Sequence, residues 1–252
     1  MFIAVVTGIA GWEWARLSGM TAATACALWG LSFAAVVAVG GLAAFGPDGR
    51  LTETARQIML VVYGLAALFW LVLVPCWFKR RWAMPAGSLA LALGMVVLVP
   101  AAFALVQLRS LGGWWLLAAM AIVWVSDIAA YFVGRALGRH KLAPTISPGK
   151  TWEGVGGAIL GVLIYCVILG AASGALMGVG VGTLAIWAAV VVVITGAGIA
   201  GDLFESMLKR QVGAKDSSQL LPGHGGVLDR IDSLTSCMPL IALLTMMSAF
   251  GG

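Results

Sequence analysis

Residues 201–233 read GDLFESMLKRQVGAKDSSQLLPGHGGVLDRIDS and separate two apolar runs, 181–201 and 234–250. This stretch holds Asp202, Glu205, Lys209, Arg210, Lys215, Asp216, Asp229, Arg230 and Asp232, in a chain of which only 10% is charged, and it carries His224, one of two histidines. Acidic and basic groups packed this densely beside long apolar segments lose too much hydration to be left unpaired. A metal ion with phosphates is a natural set of partners for them.

Outward from there, the 252 residues are 62% hydrophobic, with a mean hydropathy of +1.04, which lies outside the range of soluble domains. Apolar stretches run at about 2–12, 20–45, 57–78, 84–108, 112–137, 154–176, 181–201 and 234–250. Runs of about 20 residues satisfy their own backbone hydrogen bonds in lipid as helices. The pattern predicts an all-α, polytopic integral membrane protein of about seven to eight transmembrane or partly inserted helices, six of full length and the first and last short. The formal charge of +5 does not call for nucleic acid, because the basic residues sit between the apolar runs, where topology and anionic headgroups account for them. Cys26, Cys76, Cys166 and Cys237 are scattered singly, without zinc-type spacing, and read as small buried hydrophobes. No cleavable signal is evident at the first run.

Orientation follows from charge. If Lys79, Arg80 and Arg81 face the cytoplasm, two crossings bring Arg135, Arg139, His140, Lys141 and Lys150 to the same side, and two more bring Lys209, Arg210 and Lys215 there. Glycines such as Gly154, Gly156 and Gly157 fit close helix approach in lipid. Trp12, Trp14, Trp82, Trp114, Trp115 and Trp152 fall where an interfacial belt is expected.

A helix through 195–211 places Asp202, Glu205 or Ser206, and Lys209 on one face. Asp229 and Asp232 are likewise i and i+3, and a turn through Pro222-Gly223-His224-Gly225-Gly226 can fold them back toward Asp202. Such carboxylates suit Mg²⁺, which takes hard oxygen ligands and keeps positions for phosphate oxygens. Lys209, Arg210, Lys215 and Arg230 supply positive charge for a polyphosphate. The Gly-His-Gly-Gly turn lets backbone amides, with His224, approach an anion.

Asp127 lies inside the fifth apolar run, where a carboxylate costs roughly 2.5 to 3.5 kcal/mol unless it lines a wet cavity or meets a partner. It is expected at the same site. The connector 143–154, APTISPGKTWEG, ends in Gly149-Lys150-Thr151 but has Pro144 where a Walker loop needs glycine, so it is not a P-loop. Ser147, Lys150, Thr151 and free amides at a helix start still suit a phosphate.

These residues closely resemble the phosphatidate cytidylyltransferase (CDP-diacylglycerol synthase) family. Its signature, Ser-x-x-Lys-Arg, four residues, Lys-Asp, then His-Gly-Gly-x-x-Asp-Arg-x-Asp, is matched by Ser206, Lys209, Arg210, Lys215, Asp216, His224, Gly225, Gly226, Asp229, Arg230 and Asp232. The likeness extends from about residue 110 to the C-terminus. Upstream, Trp12-Glu13-Trp14 is the one family-like landmark, and Ala129 stands where relatives often carry glycine. We therefore divide the chain into an N-terminal transmembrane region, 1–110, and a C-terminal catalytic transmembrane region, 111–252, that carries 201–233.

The resemblance implies the reaction of CTP with phosphatidate to give CDP-diacylglycerol and pyrophosphate, dependent on Mg²⁺, leaving open whether a second cation joins it. It implies a polar cavity open to the cytoplasm in the inner membrane, and a homodimer. On this reading Asp202, Lys209, Asp229 and Asp232 are catalytic. Asp202, Asp229 and Asp232, with Asp127 as a further candidate, hold metal. Ser147, Lys150, Thr151, Ser206, Arg210, Lys215, His224, Gly225 and Arg230 bind substrate. The alternatives are a CTP-dependent polyprenol or phytol kinase, which shares the setting, and a cation transporter, which needs intramembrane acids but no phosphate-like turn.

Overall fold

The computed structural model describes residues 1–20, 22–46, 51–85, 87–175, 177–223 and 225–248. Its helices are α1 (Phe2–Leu17), α2 (Ala23–Ala43), α3 (Glu53–Leu68), α4 (Val74–Arg80), α5 (Gly87–Leu111), α6 (Gly113–Leu137), α7 (Trp152–Ala172), α8 (Val181–Gln211) and α9 (Leu228–Ser248). A π-helical turn, Phe69–Leu73, joins α3 to α4, so that Glu53–Arg80 runs as one rod of 28 residues. Pro75 lies in the first turn of α4 and has no N–H to return to the preceding turn; the widened turn just ahead of it accommodates that mismatch. Among the described residues six helices are long and apolar enough to cross a membrane, and the fold is that of an all-α polytopic membrane protein.

The sequence places a bare connector at 138–153, but the chain there forms a two-stranded antiparallel hairpin, β1 (Lys141–Ala143) and β2 (Ser147–Thr151). Two helices outrun their apolar stretches. α8 continues through the charged residues to Gln211, and α9 begins at Leu228 with Asp229 in its first turn, where the helix dipole favours a carboxylate. At about 1.5 Å per residue α8 is roughly 46 Å long, so its charged end projects beyond a hydrocarbon layer of about 30 Å.

Small residues set the helix spacings. A Cβ on Gly30 would lie 2.7 Å from the Gly8 carbonyl oxygen, which fixes the α1–α2 approach. On α7, Gly157 faces Val133 and Gly161 faces Ala129, while Gly156 meets open space and takes no part in packing. The methyl of Ala129 is thus matched by a glycine on the facing helix. α9 sits centrally, packed on α8, α5, α3 and α6. Phe204 of α8 takes the edges of Phe69, Trp70 and Trp77 at centroid distances of 5.7, 5.7 and 5.4 Å, which anchors the apolar side of α8 against the α3–α4 rod.

Two sequence expectations need correcting. Trp14 is buried and donates from Nε1 to the Ala90 carbonyl (2.8 Å), so it belongs to the core and not to an interfacial belt, whereas Trp82, Trp114, Trp115 and Trp152 are exposed. Cys26 and Cys237 are buried as expected, but Cys76 is exposed and Cys166 half-buried, because both sit on outward faces of membrane-spanning helices.

Candidate active site

The polar connectors meet at one end of the bundle, clasped by the last turn of α8. The Arg210 guanidinium donates to the Ile146 carbonyl of the hairpin (3.4 Å) and to that of Ala214 (3.1 Å). Gln211 donates to the Trp82 carbonyl (2.9 Å) and accepts from the Met84 amide (2.7 Å), which ties in the link after α4. The three basic segments that charge parity assigns to one side therefore do touch one another through α8.

Along α8 the helical repeat presents Asp202, Glu205, Ser206 and Lys209 to two neighbours. Lys150, carried in by β2, places its ammonium 2.5 Å from Asp202 Oδ2, and the Ser206 hydroxyl donates to Asp202 Oδ1 (3.2 Å). One turn on, Lys209 lies 2.5 Å from Asp229 Oδ1 and 3.3 Å from Glu205 Oε1. Asp232 interacts electrostatically with Asp202, Glu205, Lys150 and Lys209, and so links the two pairs. Asp127, exposed on α6, faces Asp202 and Lys150 through space. Gly201 permits this convergence, because any Cβ there would lie 2.9 Å from the Asp232 carbonyl oxygen and 2.6 Å from the Ser236 hydroxyl.

The pairs differ in access. The side chains of Lys150 and Asp202 remain 26% and 29% exposed, against 10% for Lys209 and 5% for both Glu205 and Asp229. The first pair is thus the more open to solvent. Neither oxygen of buried Glu205 has a hydrogen-bond partner, and its nearest counter-charge is Lys209.

Asp229 is expected to face metal, and its surroundings are those of a clasp. Its oxygens accept from Lys209, from the Ser217 amide (3.0 Å to Oδ2) and from the Gly226 amide (2.7 Å), and the Ser217 hydroxyl oxygen lies 3.0 Å from the same Oδ2. Gly225 has φ +79° and a Cβ there would lie 2.6 Å from Asp229 Oδ2; on Gly226 it would lie 2.4 Å from a Glu13 oxygen. Within the glycine turn the Gly226 amide thus donates to one of the protein's own carboxylates.

Glu13 is the residue that sequence reasoning passes over. Fully buried on α1, it accepts from the hydroxyls of Ser217 (3.0 Å) and Ser218 (2.5 Å) and from the amides of Val227 (3.0 Å) and Leu228 (2.6 Å), which caps the start of α9. A signal exists: a single carboxylate at the edge of the first apolar run, inside the helix that continues it, needs a partner for the same reason as Asp127.

Of the remaining expected residues, Lys215, Gly225 and Arg230 line a cavity of about 590 Å³ on the exposed side of the connector 212–227. Ser147 pairs with Ala143 in the hairpin. Thr151 is buried and its hydroxyl caps α7 by accepting from the Gly154 amide (3.1 Å). His224 lies outside the described residues.

The profile of the Cytidylyltransferase family matches residues 1–248. A Pseudomonas aeruginosa protein named phosphatidate cytidylyltransferase is 39% identical over all of this chain and 89% of its own length. Proteins of the same name from Haemophilus influenzae and Brucella suis are 47% and 51% identical over 48% and 49% of this chain, and over 42% and 43% of their own lengths. The profile match takes in α1 with Glu13, the hairpin with Lys150 and the whole 201–233 segment, and on that full-length agreement the chain belongs to the Cytidylyltransferase family.

Proposed function

We propose that this chain is a phosphatidate cytidylyltransferase that joins CTP to phosphatidate, giving CDP-diacylglycerol and pyrophosphate, at the charged end of its helix bundle. One observation carries the reading: five carboxylates, Asp127, Asp202, Glu205, Asp229 and Asp232, gather against two ammonium groups, Lys150 and Lys209, beside a cavity flanked by Lys215 and Arg230. It occurs in a chain matched along its whole length by a relative of that name.

The excess of carboxylate over ammonium groups fits a divalent cation. Among the described residues no three acidic, histidine or cysteine side chains form a ready-made cage. Mg²⁺ usually keeps several waters and needs only one or two carboxylates plus substrate phosphates. Asp202 and Asp232 would hold it, with Asp127 as a further candidate and Asp229, which also pairs with Lys209, as another. When bound, the ion would neutralise charge on the phosphates.

The rest falls to side chains of this chain. The phosphate of phosphatidate is already ionised, so the protein needs no strong base; an oxygen of that phosphate bonds to the α-phosphorus of CTP as the bond to the β-phosphate breaks and its electron pair leaves on pyrophosphate. Lys150, carried on β2, would hold one phosphate, with Ser147 of the same strand as a further candidate. Arg210, Lys215 and Arg230 lie on the exposed side, toward the leaving group. With Lys79, Arg80, Arg81, Arg135, Arg139 and Lys141 at the same end, the positive-inside rule turns that end to the cytoplasm of the inner membrane, where CTP is found. The family resemblance further implies a homodimer, which we propose as the working assembly.

The test is a detergent-solubilised assay with CTP, phosphatidate and Mg²⁺. Radiolabelled CMP retained in the lipid, with pyrophosphate released, supports the proposal. Release of free CDP with a phosphorylated lipid would assign a CTP-dependent lipid kinase instead.

A further inference from the structure

A fully buried carboxylate at the charged end belongs to the first helix, 204 residues before its nearest hydroxyl partner in the chain. Each oxygen of Glu13 accepts one serine hydroxyl and one backbone amide: Ser218 and Val227 on Oε1, Ser217 and Leu228 on Oε2. The Ser217 hydroxyl lies 3.0 Å from Glu13 Oε2 and 3.0 Å from Asp229 Oδ2. A line of contacts thus runs from Glu13 through Ser217 to Asp229, and from Asp229 to Lys209 and Glu205 on α8.

We propose that Glu13 is a positioning residue for the reaction: through Ser217 and the start of α9 it sets where Asp229 holds Lys209, and so fixes the charged face of α8 against α9. This inference rests on the cytidylyltransferase reading above. A carboxylate suits the post because it has acceptor capacity on both oxygens and no hydrogen to donate. Glutamine has the same shape but carries an NH₂ on one side, and that NH₂ would meet either the Val227 or the Leu228 amide, donor against donor. The serines can rotate to adapt; the backbone amides cannot. Gly226 leaves the room this arrangement needs, since a Cβ there would overlap the Ser217 hydroxyl and the Glu13 carboxylate.

A displacement of Asp229 and Lys209 acts on the transition state more than on the initial docking of substrate, which meets the more open Lys150 and Asp202 pair. The consequence is a split between kinetic constants. The experiment compares the full-length parent in detergent with Glu13→Gln, Ser217→Ala and Gln107→Leu. The last is a control for general destabilisation: Gln107 lies toward the opposite end of α9, bonded to Ala242 and Thr245.

Activity is measured well below each variant's melting temperature and scaled to folded protein by gel filtration. We expect Glu13→Gln to lower kcat by about tenfold or more with both KM values within about twofold, and Ser217→Ala, which keeps the buried charge, to lower kcat in the same sense. Their effects should combine to less than the product of the two, because they break one chain of contacts. Gln107→Leu should lower the melting temperature without changing kcat per folded molecule. Full kcat in folded Glu13→Gln, or in Ser217→Ala should the first variant not fold, overturns the proposal, as does a loss that merely tracks melting temperature. If the parent itself makes no CMP-bearing lipid, the functional reading fails instead, and the two failures are told apart by that first lane.

Discussion

Lys150 and Asp202, brought together from a hairpin and a helix at 2.5 Å, form an ion pair that keeps more than a quarter of each side chain open, whereas Lys209 and Asp229 hold the same separation almost entirely enclosed. On the proposed reading the first pair meets substrate and the second shapes the site, so the two should respond differently to substitution.

For the open pair, Asp202→Asn and Lys150→Ala should each lower kcat/KM by about 10² to 10³, the range for losing one electrostatic contact to a reacting phosphate or its counter-charge. Because the side chains are partly exposed, the variants should keep a melting temperature near the parent's. Steady-state assays beside thermal scans in detergent check both halves; near-normal turnover in Asp202→Asn would remove it from the chemistry.

For the enclosed pair, Asp229→Asn loses the charge opposite Lys209 and turns a donor toward one of its present donors. We expect turnover to fall by several orders of magnitude while the bundle remains folded, and the connector 212–227 to become more readily cut by protease. An uncut connector with full activity would contradict the clasp.

Treatment with EDTA should abolish turnover, and added Mg²⁺ should restore it, whereas Ca²⁺, larger and less strict in geometry, should restore it poorly. Turnover that survives exhaustive chelation would remove the divalent ion from the proposal.

Neighbouring glycines on α7 give a test of packing without chemistry. Gly157→Ala would put its methyl 2.5 Å from Val133 Cβ, while Gly156→Ala enters open space. The first should lower the melting temperature by several degrees, equivalent to about 1 to 3 kcal/mol of overpacking. The second should leave it unchanged or slightly raised, as alanine is the better helix former.

The membrane fold could be read from the sequence because apolar run length is a local property, and the face shared by Asp202, Ser206 and Lys209 because the helical repeat is local too. The hairpin at Lys141–Ala143 and Ser147–Thr151 has no local signature, since Pro148 and Gly149 in the second strand argue against strand structure and it is held by its partner strand, α7 and α8. The start of α9 was placed late, because the first turn of that helix is polar. Glu13 left no periodic trace: each of its partners lies more than 200 residues away, and no spacing rule joins positions so distant. The Gly226 amide meets Asp229, and no local pattern distinguishes a turn that serves a substrate phosphate from one that serves an internal carboxylate.

The distance in sequence between Glu13 and the amides it caps also bears on biogenesis. At about 5 to 20 residues per second, a ribosome needs roughly 10 to 40 s after making α1 before Val227 and Leu228 exist. During that interval a glutamate destined for complete enclosure has none of its final partners. The first helix must therefore wait in a hydrated or interfacial setting, and the charged end can lock only after the last helix has been delivered by the insertion machinery.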